Sequence, residues 1–145
     1  MISHPHPLVQ TVRKLKQAYS VTFWFEPETQ KIILMDKPEY LLKRQCVYSL
    51  WYTDACLPFY IGQTARLLTR IKEHVYAQSG PTEHWRLKQF HDIMYKTKKP
   101  IRCYFSVDFS SRNQAKLLER EYIRQFGLWV YNVQSNPYAD EPILH

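Results

Sequence analysis

Apolar positions set the first reading of this chain. Leu8, Val12, Leu15 and Tyr19 fall at helical spacing, with Arg13, Lys14 and Lys16 on the other side, and predict a helix over about 8–19. Val21 to Phe25 and Lys31 to Met35 are β-like runs around the turn-rich Glu26-Pro27-Glu28-Thr29-Gln30, a hairpin pattern. Asp36-Lys37-Pro38-Glu39 reads as a cap and first turn, opening a short helix to about Arg44.

A second hairpin follows. Val47, Tyr48, Leu50, Trp51 and Tyr52 favour one strand, Phe59, Tyr60 and Ile61 the next, and Thr53 to Pro58 supply the turn. Gly62 allows close backbone approach, or positive φ, where the second strand leaves the sheet. Thr64 is placed to cap a helix over 65–77, with Leu67, Leu68, Ile71 and Val75 facing a core. Ser79-Gly80-Pro81 ends it, and Thr82 or Glu83 begins another, with Trp85, Leu87, Phe90, Ile93 and Met94 as its apolar stripe over about 83–96. Ile101 to Phe109 alternates as a strand, the third of a core sheet. Ser111 and Gln114 form a capping-box pattern ahead of a helix with Ala115, Leu118, Tyr122 and Phe126 on one face. Gly127 ends that helix, and the remainder, with Pro137 and Pro142, reads as an irregular tail.

Candidate chemistry sits on these elements. Arg66, Arg70 and His74 fall at i, i+4 and i+8 of the 65–77 helix, one stripe beside its apolar face. With the hairpin tyrosines they make a phosphate-handling set: a fixed cation for phosphoryl charge, and phenol and imidazole for moving protons. The same residues also fit a hairpin with core tyrosines and a helix with a solvated basic edge. Glu119 lies on the core-leaning face of the last helix, while Glu121 points away. A carboxylate there needs a partner, either Arg70 or a divalent cation, or else an ordinary salt bridge or an edge position in water. Tyr95 to Pro100, with Lys96, Lys98 and Lys99, suits phosphate contact, and a lysine-rich helix end explains it as well. His84 and His91, seven residues apart, are too widely spaced for a metal pair of their own.

Composition narrows the picture. The 145 residues suit one domain with a modest core, and 20 Lys plus Arg against 13 Asp plus Glu give a net charge of +7 that suits a polyanion. The 3 cysteines form no CxxC pair, which argues against a zinc site or disulfide framework. No apolar run is long enough for a membrane span, and Met1 to Pro7 lacks the pattern of a signal peptide, so a soluble, cytoplasmic protein is expected.

The 46–74 stretch resembles the GIY-YIG nuclease superfamily, which includes intron homing endonucleases, a nucleotide-excision-repair nuclease and some restriction enzymes. Tyr60-Ile61-Gly62 is the second triplet intact. Cys46-Val47-Tyr48 stands where Gly-Ile-Tyr is usual and keeps only the tyrosine. The family's helix arginine falls on Arg70, and the histidine of some branches on His74. Downstream, Glu119 before Tyr122-Ile123 matches the metal-binding glutamate, with Glu121 as the fallback, and Asn132 matches the late asparagine with a slightly longer spacer.

The resemblance implies an α+β fold: a small three-stranded antiparallel sheet flanked by helices over 46–133. Residues 1–45 are then an N-terminal extension packed on that core, and 134–145 the tail. It implies a metal-dependent DNA endonuclease, hydrolysing phosphodiester bonds with one Mg²⁺ (or Mn²⁺) held by Glu119. Tyr48, Tyr60, Arg70, His74, Glu119 and Asn132 form the catalytic set. Tyr48 and His74 are rival general bases; Tyr60 orients water or phosphate, and Asn132 braces the site. Arg66, Lys72, Lys96, Lys98 and Lys99 are the candidate contacts to the DNA backbone. One site cuts one strand, so a homodimer is a further expectation. The rival classes are a catalytically silent nucleic-acid-binding domain on the same scaffold and a protein-interaction domain whose tyrosines are core.

Overall fold

The computed structural model describes residues 7–36, 42–77, 83–97, 99–107, 109 and 111–144. Its elements run α1 (Pro7–Lys16), β1 (Tyr19–Glu26), β2 (Lys31–Leu34), β3 (Cys46–Tyr52), β4 (Tyr60–Thr64), α2 (Leu67–Tyr76), α3 (Trp85–Lys96), β5 (Ile101–Ser106) and α4 (Arg112–Phe126). The α+β class is as expected, but the sheet has five strands rather than three. Their order is β2-β1-β5-β3-β4, and every pairing is antiparallel. The first hairpin joins through β5: Val21 lies opposite Cys103, and Leu50 opposite Cys103 from the other side. That pairing is non-local, so no spacing near residues 19–34 announces it.

The strands bury both faces at the centre of the sheet. In β3, Cys46, Tyr48 and Leu50 face α2 and α3 with Phe105, Ile71, Val75 and Phe90. Val47 and Trp51 face the other way, onto α1 and α4 with Leu8, Leu15, Ala115, Tyr122 and Phe126. An element apolar on both faces is what a central strand requires.

Several helix ends differ from expectation. Thr64 closes β4, where its Oγ1 accepts from Arg66 N at 3.0 Å, and α2 starts only at Leu67. α3 is capped by His84, whose Nδ1 accepts from Arg86 N at 3.1 Å. Ser111 does cap α4, accepting from Gln114 N at 3.2 Å. β5 stops at Ser106. The short helix from Asp36 and the Ser79-Gly80-Pro81 break fall largely outside the described residues. Among the described residues no helix is long and apolar enough to cross a membrane.

Candidate active site

β4 is an edge strand, and the site is built around its open edge. The chain leaving α4 runs along that edge and completes the ladder. Tyr131 N donates to Phe59 O at 2.8 Å. Asn132 then pairs with Ile61 twice: its Oδ1 accepts from Ile61 N at 3.0 Å, and its Nδ2 donates to Ile61 O at 2.6 Å. A single buried side-chain amide thus acts as a one-residue strand, and the Tyr60-Ile61-Gly62 backbone is fixed.

Tyr48 lies directly across from Gly62 in the β3–β4 pairing. A Cβ at position 62 would overlap the Tyr48 ring, so the glycine serves close approach, not an unusual φ. Seated there, Tyr48 is 1% exposed, and its Oη shares a 2.7 Å hydrogen bond with His74 Nε2. Burial, reinforced by Tyr60 and opposed by Arg70, pushes the phenol well above its usual pKa. His74 is 4% exposed, and burial, then the charges of Arg70 and His91, lower it to about 3. Both partners are therefore neutral at pH 7. Tyr60 completes the inner wall: it stacks on Phe90 (4.1 Å, 12°) and meets His74 edge-on at 4.9 Å. Burial raises its phenol pKa too; Arg70 opposes this and Glu119 adds to it.

A cleft of about 520 Å³ opens in front of this wall, lined by Tyr60, Arg70, Glu73, His74, Glu119 and Asn132 among others. α2 and α4 lie on opposite faces of the sheet, and the cleft wraps the β4 edge to reach both. Arg70, 44% exposed, donates from Nη1 to Glu73 Oε2 at 2.7 Å. Burial works against its charge, but the bond to Glu73 and the two phenols outweigh that and hold its pKa above the ordinary value. Glu119 is half-buried. Burial raises its carboxyl pKa, while Lys116, Arg120, Arg70 and the Gln63 main chain pull it down.

The remaining wall comes from α3 and the C-terminal segment. Glu83, Leu87, Phe90 and His91 face the cleft from one side, Val133, Gln134 and Ser135 from the other. Arg86 joins them. It is 0% exposed and donates to four main-chain carbonyls: Gly127 (3.1 Å) and Val130 from Nη1, Tyr138 and Glu141 (2.7 Å each) from Nη2. Asn136 adds bonds to Gly127 O and Asn132 O at 3.0 and 2.8 Å.

The structure thus brings five of the six predicted catalytic side chains to one cleft, with Tyr48 directly behind His74. The Arg66–Arg70–His74 stripe does not stay on one surface. Arg66 lies outside the helix and is exposed, while the step from Arg70 to His74 turns about 40° around α2 and ends in the buried face. Glu121 points away, paired with Arg124. Arg66, Lys72, Lys96 and Lys99 are exposed and do not line the cleft; Lys96 lies 3.7 Å from Asp92. Lys98 lies outside the described residues. His91 and Glu83 line the cleft, 3.2 Å apart, and are not among the predicted site residues. Their signal is the run Glu83, Leu87, Phe90, His91 at helical spacing, which the apolar reading of α3 obscures.

Two of the three cleft glutamates already have partners, Glu73 with Arg70 and Glu83 with His91. Glu119 makes no ion pair within 4.0 Å among the described residues, nor do three or more His, Cys, Asp or Glu side chains there cluster into a metal site. A lone carboxylate beside open space fits a hard divalent cation that keeps most of its waters, and does not fit a zinc-type site.

A search of the curated proteins found no match. Two solved structures of the GIY-YIG N-terminal endonuclease domain of UvrC from Thermotoga maritima are similar. Both are tyrosine-to-phenylalanine variants described as bound to the catalytic divalent cation. They are 18% and 19% identical, each covering 66% of this chain and 93% of its own, with a TM-score of 0.42. The family model described as the GIY-YIG catalytic domain matches residues 44–132, more than half of the chain and a span holding every side chain predicted to be catalytic, and so this protein belongs to the GIY-YIG nuclease family.

Proposed function

We propose that the protein is a metal-dependent DNA endonuclease that hydrolyses phosphodiester bonds with a single divalent cation at Glu119. One observation carries this reading: a guanidinium, a carboxylate outside any ion pair among the described residues, a phenol and a phenol-bound imidazole converge on one cleft at the β4 edge. Bound at Glu119, Mg²⁺ or Mn²⁺ would supply a Lewis acid for the phosphate and the departing 3′ oxygen.

The chain's own residues do the rest. Arg70 exchanges Glu73 for the phosphate and offsets charge developing on its oxygens. His74, the member of the Tyr48–His74 pair that lines the cleft, takes the proton of the attacking water. Tyr48 holds the imidazole in place from behind. Burial is the larger cause of the low basicity of His74; Arg70 adds to it, and an anionic phosphate on Arg70 offsets only that addition. Tyr60 orients the water or phosphate between Arg70 and Glu119, and Asn132 keeps the edge strand in register.

The test is nicking of supercoiled plasmid. The unaltered protein nicks with Mg²⁺ or Mn²⁺ and not with EDTA, whereas Glu119→Ala and Arg70→Ala are inactive and folded by circular dichroism. Full activity in both variants overturns the assignment; salt-sensitive DNA binding without cleavage leaves a silent binding domain.

A further inference from the structure

α4 carries more charge than the catalytic set uses. Arg112, Lys116, Arg120 and Arg124 follow one another at i+4 along its whole length. At that spacing successive positions lie about 6 Å apart in a row, or ridge, that winds about 40° around the helix at each step; Arg112 and Arg120 are exposed and Lys116 half-buried between them. Phosphates along a nucleic-acid strand recur at nearly the same distance.

The ridge borders the cleft. Glu119 and Ile123 line the cleft from α4, and Lys116 and Arg120 lie three residues before and one after that glutamate. Arg120 and Arg124 then line a second groove of about 640 Å³ with Leu117, Asn136 and Pro137. Val133 and Ser135 line both openings, so the groove continues the cleft across a shared rim. Ser135 sits on that rim with φ 64°, an uncommon conformation for a residue other than glycine.

Along the row, beside the cleft and elsewhere, some cations already hold a carboxylate. Arg70 holds Glu73, Lys96 holds Asp92, and Arg124 holds Glu121. Arg112, Lys116 and Arg120 make no ion pair within 4.0 Å among the described residues. Glu119 lies near Lys116 and Arg120 and offsets part of their mutual repulsion, which leaves a net positive row for an anion to cover.

We infer that the Arg112–Lys116–Arg120 ridge, with the adjoining groove, binds the backbone of the DNA strand flanking the scissile phosphate. This rests on the nuclease reading and adds where the substrate lies: along α4, from the cleft over the Ser135 rim. Contacts of this kind position the strand and do not read its sequence. Arg124 contributes less, because a phosphate must displace Glu121.

The experiment is fluorescence anisotropy of a labelled duplex in EDTA over a series of KCl concentrations, with plasmid nicking run in parallel. The triple variant R112Q/K116Q/R120Q flattens the slope of log K against log salt by about 2.7, at about 0.9 for each phosphate that the protein no longer neutralises. Lys31→Gln, on the opposite edge strand, leaves the slope unchanged. R124Q changes it by less than any single member of the triple. A triple variant that melts like the unaltered protein and keeps its slope overturns the ridge while the nuclease reading stands. An unaltered chain that neither binds nor nicks removes both.

Discussion

Tyr48 and His74, 1% and 4% exposed, hold each other within the packed inner wall of the cleft, whereas Arg70 and Glu119 keep their charged ends half in water. The inner pair is satisfied by folding itself: a 2.7 Å hydrogen bond, with Phe90 and Tyr60 closing the space. The outer charges hold only exchangeable partners, and an exposed pair such as Arg70–Glu73 contributes at most about 1 kcal/mol. The inner side is therefore built before any ligand arrives, and the outer side is ready to trade partners when one does. Stability and activity should then separate across the cleft.

The sharpest break of that comparison is Arg70→Ala. Its nicking rate should fall roughly 10²–10³-fold, the cost of one lost charge-stabilising donor. Its unfolding free energy, read from urea titration, should fall by less than about 1 kcal/mol. A collapse of the midpoint would show that the outer side also holds the fold. Gly62→Ala reverses the balance: by pushing the Tyr48 ring off β4 it should destabilise by up to about 3 kcal/mol, read by urea unfolding.

Acid provides the next probe. His74 has a folded pKa of about 3, below the ordinary value of about 6.5, so the unfolded chain takes up the proton first as pH falls. Its contribution to stability is complete above about pH 6.5 and erodes from there towards about 3, by about 2 kcal/mol at pH 5. Comparing unfolding of the unaltered protein and His74→Gln at pH 7.5 and 5 isolates this slope; equal slopes would count against a buried neutral imidazole. Lys96→Ala, remote from both sides and paired only with exposed Asp92, should stay within about 0.5 kcal/mol and sets the baseline.

Some local signals in the sequence carry through to the structure, although the caps of α2 and α3 do not. The Ser111 cap, the glycine opposite Tyr48 and the face of α4 carrying Glu119 all follow from patterns spanning a few residues. The resemblance supplies the long-range part of the site, because Glu119 and Asn132 stand far along the chain from Tyr48 and Arg70. What stays hidden depends on non-local packing. The β1–β5 pairing joins residues some eighty positions apart. That α2 starts after Arg66 and turns His74 inward depends on where the core lies. Arg86 reads as one more cation in an amphipathic helix, since its partners are carbonyls, and carbonyls carry no sequence signature.

That arginine also bears on where this domain can be cut. Two of its four acceptors, the carbonyls of Tyr138 and Glu141, come after residue 132, where the family match stops. A protein trimmed to the matched span would strand a desolvated guanidinium against half its cage, and would release Asn136 from the backbone beside Asn132. The smallest piece of this chain able to fold around its cleft is thus longer than the matched module, and a fusion partner belongs beyond the C-terminal wrap instead of in place of it.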